Sequence, residues 1–286
     1  MQGIILINKP KGVTSSSVVS KVKFLTHKKC GHLGTLDPLA EGVLPICIGR
    51  ATRLFDYFLK KQKTYIAHFT FGYQTSTLDL EGEKVKICSY VPTKSEIEMA
   101  IEKHFLGDIL QTPPEYSAKK LDGQKAYDLA RKNKELDLKP VPITIYKFDL
   151  IQQINENTFE FEITCSAGTY IRALARDIGF ATNSCATMTS LVRTKVGSFD
   201  IKDCIEFENL SKEGILEKII PQDDILRAIF PCKINISKEV LQDLLNGKKK
   251  FLKGKEGEPH AVFCEGKGVG IGFISNNYLT IKTYLL

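Results

Sequence analysis

Gly31-His32-Leu33-Gly34-Thr35-Leu36-Asp37-Pro38-Leu39-Ala40-Glu41-Gly42 is the segment that most restricts how this chain can fold. Its three glycines and one proline oppose any continuous helix or strand. The apolar run Val43–Ile48 follows at once and reads as a strand, so the segment is a loop feeding a sheet. Asp37 precedes Pro38, which biases it toward extended backbone. A carboxylate held out on a stiff, glycine-flanked loop can be a nucleophile or a base. Asp-Pro is also a common turn opener, so the segment alone leaves a purely structural role open.

Around this loop, short strand and helix patterns alternate in irregular order, without an internal repeat. Strands are predicted over Gly3–Ile7, Val43–Ile48, Thr64–Phe71, Val141–Leu150, Thr158–Cys165 and Thr187–Val196. Ser15 or Ser16 caps a helix to about Leu25. Further helices are predicted over Ala51–Leu59, Lys94–Phe105, Gly123–Lys134 and Tyr170–Phe180, with Thr93 and Glu96 as a capping-box pair for the second. At roughly 150 residues per domain, 286 residues suggest two domains. After Pro231 comes a short helix, Lys238–Leu245, then three short strands among glycines, His260–Cys264, Val269–Ile274 and Leu279–Tyr284. The expected fold is α/β of the α+β type: a mixed, mostly antiparallel sheet with flanking helices over 1–230, and a small β-rich module over 231–286.

Lys plus Arg number 40 against 33 Asp plus Glu, a net charge of +7, which allows a nucleic-acid partner without requiring one. No apolar stretch approaches the ~18 residues of a membrane span. Lys9-Pro10-Lys11-Gly12 breaks the N-terminal apolar run too early for a signal peptide, so a cytoplasmic protein is expected. The eight cysteines contain no C-x-x-C pair, which argues against structural zinc, and free buried thiols without disulfides are expected. Neither a phosphate-binding G-x-x-x-x-G-K-[ST] loop nor a zinc-deaminase pattern is present. His32 as a lone metal ligand is a weak reading, so no metal and no cofactor are expected.

Three further segments carry possible chemistry. Gly168-Thr169-Tyr170-Ile171-Arg172 passes from strand to helix, and Arg172 could pair with a carboxylate or simply sit exposed on an amphipathic helix. Lys63-Thr64-Tyr65 precedes the polar Gln74–Gly82; Tyr65 could stack on a base or belong to the core. Pro113–Lys120 leads into a basic stretch with Tyr116 and Tyr127, which suits either an RNA face or a solvated helix.

In order and spacing, Gly31–Arg53, Lys63–Gly82, Pro113–Arg131 and Gly168–Asp177 together closely resemble the TruB family of tRNA pseudouridine synthases. The resemblance runs from about Ile5 to Val196 and is most specific in the G-H-x-G-x-L-D-P stretch followed by G-x-L-P and G-x-A-T-R. It implies isomerisation of a uridine in the tRNA T-loop, conventionally position 55, to pseudouridine, without metal or redox cofactor. Asp37 matches the family's nucleophile, and attack at ribose C1′ or at uracil C6 both stay open. Tyr65 matches the tyrosine that stacks on the target base, and Arg172 the arginine that pairs with the nucleophile. Tyr170 and Leu191 match pocket-lining residues, and His32 a residue that fills space left by flipped bases. Asp79 and Lys119 fall in motifs that shape the site and the RNA face.

Leu33 and Glu41 depart from the family's usual residues at those positions, without touching the nucleophile. The tail resembles the family's PUA-type RNA-binding module, where Lys248–Lys250 and Lys253 could meet phosphates or remain a solvated run. A monomer binding the tRNA T-arm is expected. Two rivals stay open: a tRNA-folding chaperone without essential catalysis, and a pseudouridine synthase acting on a different RNA.

Overall fold

In the computed structural model, which describes residues 1–59, 61–116, 120–121, 124–125 and 138–286, the first apolar run becomes β1 (Gly3–Lys9). Thr14 caps α1 (Ser15–Thr26), accepting from the Ser17 N–H, one residue ahead of the expected cap. β2 (Cys30–His32) and β3 (Glu41–Ile48) bracket the Asp37 loop. β3 runs antiparallel to β1 from Gly3 opposite Ile48 to Lys9 opposite Gly42. Both strands are buried on two faces. Ile5, Ile7, Leu44 and Ile46 enter the main core, while Ile4, Leu6, Val43 and Cys47 enter a second core. Their sequences therefore read as unbroken apolar runs instead of alternating.

The helix expected over Ala51–Leu59 is a 3-10 turn at Gly49–Leu54 followed by a short α2 (Phe55–Leu59). β4 (Lys63–Phe71) leads into a hairpin of β5 (Tyr73–Thr75) and β6 (Lys84–Ile87). α3 (Lys94–His104) shows both arms of its capping box between Thr93 and Glu96. After β7 (Gly107–Gln111), Lys120–Leu121 (β8) pairs with Gln124–Lys125 (β9). Gln124 and Lys125 are thus strand, not part of the helix expected over Gly123–Lys134. The rest of that segment lies outside the described residues.

β10 (Val141–Asn155), β11 (Thr158–Cys165), α4 (Ile171–Ala181) and β12 (Ala186–Val196) follow close to expectation. β13 (Phe199–Asp200), β14 (Ile205–Glu206), α5 (Lys212–Lys218) and β15 (Ile220–Pro221) end the main layer. The large sheet runs β14-β1-β3-β12-β4-β11-β10-β7 and is mostly antiparallel; β1–β14 and β3–β12 are its parallel pairs. β4 and β11 alternate as a one-sided sheet should. Phe69 and Phe161 meet in the main core at 4.8 Å between ring centres, while His68 pairs with Glu160 on the other face. Val18 and Val22 of α1, Ile97 of α3 and Leu174 of α4 close that core.

α6 (Gln222–Ile229) leads into a separate five-stranded sheet. It is built from β16 (Lys233–Ile236), β17 (Lys250–Phe251), β18 (Pro259–Cys264), β19 (Lys267–Ser275) and β20 (Tyr278–Tyr284), with α7 (Lys238–Leu245) after β16. Its Phe263, Ile271 and Leu285 share the second core with Ile4, Leu6 and Leu226. Among the described residues, no helix is long and apolar enough to cross a membrane.

One expectation about cysteines fails. Cys88 and Cys185 form a disulfide, while Cys30, Cys47, Cys165, Cys204, Cys232 and Cys264 are free. Gly72 brings the pair together: its carbonyl accepts from the Cys88 N–H, and its N–H donates to the Cys185 carbonyl. The two Cα atoms lie 5.9 Å apart across a sequence separation of 97, so spacing in the chain gave no hint of the contact. A cross-link closing so long a loop restricts the unfolded chain, by about 2–4 kcal/mol in typical cases. Cys88→Ser is expected to lower the denaturation midpoint under non-reducing conditions. Adding dithiothreitol should bring wild type and variant together in the same urea melt.

Candidate active site

The Asp37 loop is irregular backbone drawn between two apolar cores. Leu36, Leu39 and Ala40 enter the main core, and Leu33 enters the second. Buried carbonyls there need partners, because each one left without a hydrogen bond is costly. All five from Gly34 to Pro38 have one. The Arg193 guanidinium donates through Nη2 to Gly34 O (3.1 Å), through Nη1 to Thr35 O (3.3 Å) and through Nε to Val43 O (2.9 Å). Ser15 Oγ donates to Leu36 O (2.8 Å), and the Ala40 N–H donates to Asp37 O. Pro38 O accepts from the Gly12 N–H and from Lys9 Nζ. Lys9 also donates to Pro10 O and Val13 O, and is fully buried. Burial draws its pKa down to about 8, with Glu41 and Asp37 pulling the other way. Gly42, at φ +104°, ends the loop. A Cβ there would lie 2.2 Å from the Arg193 carbonyl oxygen, so only glycine allows this approach.

Asp37 itself points outward, with 40% of its side chain exposed, and meets Arg172, whose side chain is 7% exposed. Arg172 sits in the first turn of α4 behind the N-cap Tyr170. Its Nη1 donates to Thr77 O (3.1 Å) and its Nη2 to Tyr116 O (2.7 Å). Nε lies 3.3 Å from Asp37 Oδ2 yet makes no aligned hydrogen bond, so the contact is an ion pair only. The Tyr170 ring centre is 6.0 Å from the same guanidinium. Gln111 holds Tyr170 in place by donating to its carbonyl and accepting from its N–H.

Tyr65, 6% exposed on β4, lies opposite Arg193 of β12 in the strand register. The positive charge of Arg193 acts on its phenol. Burial pushes the phenol up to about 12, against the pull of Arg193, so it stays neutral near pH 7. Leu191 is buried two residues before Arg193, opposite Ala67. Asp79 is buried in the β5–β6 hairpin turn, accepting from the Thr77 hydroxyl and the Glu81 N–H; it shapes the turn whose Thr77 carbonyl holds Arg172. His32, half-buried at the end of β2, has a buried Nδ1 without a hydrogen-bond partner. Burial, then the charge of Arg193, lowers its pKa. Lys119 lies outside the described residues.

The fold thus brings Asp37, Arg172 and Tyr170 together and connects Tyr65 to the loop through Arg193. His32 opens instead on a groove of about 480 Å³ that Asp37 does not line. Two further grooves share residues with it and add Lys28, Lys29, Arg50 and Arg53, a continuous basic surface. Arg53 also donates to Tyr284 O of the C-terminal module. In that module Lys248 and Lys250 pair with Asp243, so part of the tail's basic run is already neutralised. Among the described residues, no group of three or more His, Cys, Asp and Glu is placed to hold a metal.

Arg193 and Lys9 escaped sequence reasoning. Lys9 reads as part of a turn, and Arg193 as the polar member of a strand. Leu191 and Arg193 share the buried face of β12, but the register shifts after Arg193, leaving Lys195 exposed and Val196 buried, so the alternation in the sequence carries no clear signal of an arginine in the core.

A family model described as TruB family pseudouridylate synthase (N terminal domain) matches residues 22–171. A second, tRNA pseudouridylate synthase B C-terminal domain, matches residues 172–233. The chain is 44% identical over 280 residues to tRNA pseudouridine synthase B of Clostridium kluyveri, covering 95% of each chain. It is 37% identical to the same-named protein of Aquifex aeolicus, covering 100% of each. Its fold matches a chain of an archaeal box H/ACA sRNP complex with TM-score 0.72 at 22% identity, covering 99% of this chain and 86% of that one. That likeness speaks for the fold alone. Family models over most of its length, and relatives at this identity from end to end, place the chain in the TruB family of pseudouridylate synthases.

Proposed function

We propose that this enzyme isomerises the uridine at conventional position 55 in the T-loop of tRNA, with Asp37 as the nucleophile. The observation that carries the reading is the Asp37–Arg172 pair: an outward carboxylate on a loop whose Gly34–Pro38 carbonyls are all held, set against a buried guanidinium. The C1′–N1 bond breaks, the uracil turns, and C1′–C5 forms. The C5 proton is then lost and N1 gains one. Nothing is consumed or released overall, so nucleophile, orienting cation and proton carrier suffice.

Arg172 fixes the carboxylate's direction. Tyr65 lies beneath the flipped base as stacking surface and neutral proton carrier, and Tyr170 and Leu191 line the pocket. Extruding a base costs a few kcal/mol, and stacking on an aromatic ring returns about 1–3 kcal/mol. His32 occupies space opened in the folded T-loop, and Asp79 and Lys119 shape the RNA face. The basic grooves and the 231–286 module, read as PUA-like, receive the rest of the tRNA arm. The enzyme acts as a monomer in the cytoplasm. A chaperone alone has no use for an outward carboxylate set against a buried guanidinium.

Tritium release from a T-arm stem-loop carrying 5-tritiated uridine tests this directly, because forming C1′–C5 displaces the C5 hydrogen. Wild type should release tritium, and a stem-loop without the target uridine should release none. Asp37→Asn should lose more than about 10³-fold in rate while still binding the RNA. Retained turnover in that variant would sink the assignment.

Arg172→Ala should lower turnover by about 10²-fold through misplacement of Asp37, with a smaller change in KM. Binding should weaken with salt on a log–log line, and Lys29→Ala or Arg53→Ala should each flatten that line by about one unit if the side chain meets a phosphate.

A further inference from the structure

Arg193 is 1% exposed, yet no carboxylate among the described residues pairs with it. Its hydrogen-bond partners are three backbone carbonyls, and Tyr65 stands directly across from it in the strand register. Buried guanidinium groups are ordinarily paired, because desolvation costs several kcal/mol. The three carbonyls are not a random set. Gly34 and Thr35 lie on the leg leading into Asp37, and Val43 lies on β3 just past the loop. The planar fork of the guanidinium fixes the separation of the two legs in one stroke. The register adds a third point: Arg193 faces Gly42 in the parallel β3–β12 pair and Tyr65 in the antiparallel β4–β12 pair.

We propose that Arg193 is a positioning residue for the isomerisation, locking the Asp37 loop and the Tyr65 ring into one rigid frame so that nucleophile and base platform keep a fixed spacing. The inference rests on the roles given above to Asp37 and Tyr65. It assigns Arg193 no contact with the RNA. A point charge in its place, such as lysine, keeps the cation but cannot reach all three carbonyls with matched geometry.

The test is single-turnover tritium release at saturating stem-loop for Arg193→Lys, Arg193→Gln, Tyr65→Phe and the Arg193→Lys/Tyr65→Phe double variant. RNA affinity is measured in parallel, and rates are corrected for the folded fraction from thermal melts. Arg193→Lys should lose about 100-fold in the saturated rate, the scale of an ångström-sized misplacement. Its RNA affinity should be largely unchanged. Tyr65→Phe should cost much less in the Arg193→Lys background than in wild type, because the two act as one unit. Should Arg193→Gln fail to fold, Arg193→Lys carries the comparison. Amide exchange over residues 33–42 then reports the loop: faster exchange in folded Arg193→Lys is expected, and wild-type protection counts against the proposal. A saturated rate that falls only with the folded fraction, or penalties that simply multiply, would overturn it. Failure of the underlying reading looks different: Asp37→Asn would keep releasing tritium whatever Arg193 does.

Discussion

The Asp37 loop is held by its carbonyls, and much of the surrounding fold supplies donors to them. Irregular backbone between two cores cannot hydrogen-bond to itself as a helix or strand does. Apart from the Ala40 N–H, which serves Asp37 O within the loop, donors therefore arrive from four places: Arg193 on β12, Lys9 on β1, Ser15 on α1 and the Gly12 N–H at the turn between them. Two of these donors are buried cations. Charge-assisted hydrogen bonds are roughly twice as strong as neutral ones, which offsets part of the desolvation. The parallel contact between β3 and β12 is what brings Arg193 within reach, and Gly42 is what lets the backbones approach.

Two arginines divide the work around Asp37. Arg193 holds backbone and lies across from Tyr65, with no ion pair to the carboxylate; Arg172 meets the carboxylate through a single nitrogen. A bidentate fork would occupy both carboxylate oxygens. Arg172 instead commits Nη1 and Nη2 to Thr77 and Tyr116 carbonyls, so only Oδ2 lies in ion-pair range. The other oxygen carries no ion pair, which suits the nucleophile role proposed for Asp37. The same bonds make Arg172 depend on the β5–β6 hairpin, whose turn Asp79 organises and whose base the Cys88–Cys185 bond ties to the start of β12.

Much of this was legible in the sequence, where local chemistry dominates. The Thr93–Glu96 box, the alternation in Thr64–Phe71 and Thr158–Cys165, and the glycine–proline loop each carry their structure within a few residues. Where tertiary contact decides, the sequence was silent or misleading. Cys88 meets Cys185 only because Gly72 bridges their strands. Thr14 takes the cap from Ser15 because the Ser15 hydroxyl is committed to Leu36. Lys9 and Arg193 resemble surface residues until the loop's carbonyls are seen to need them. Asp37 could be singled out from its loop, but its pairing with Arg172 came from resemblance, since 135 residues of chain separate them.

The second core links the site to the C-terminal module. Leu33, at the loop's start, belongs to the same apolar cluster as Ile4 and Leu6 of β1 and as Phe263, Ile271 and Leu285 of the module. Arg53 adds a polar tie by donating to Tyr284 O, while lining the basic groove system that reaches His32. Close-packed interiors transmit displacement because they contain little free volume. RNA seated across module and grooves, as proposed, would therefore be referenced to β1 and β3, the strands that pack against this core and lead out of the Asp37 loop. Binding contacts made far from the target base can in this way fix where that base arrives, which is how remote binding energy becomes orientation at a reacting centre.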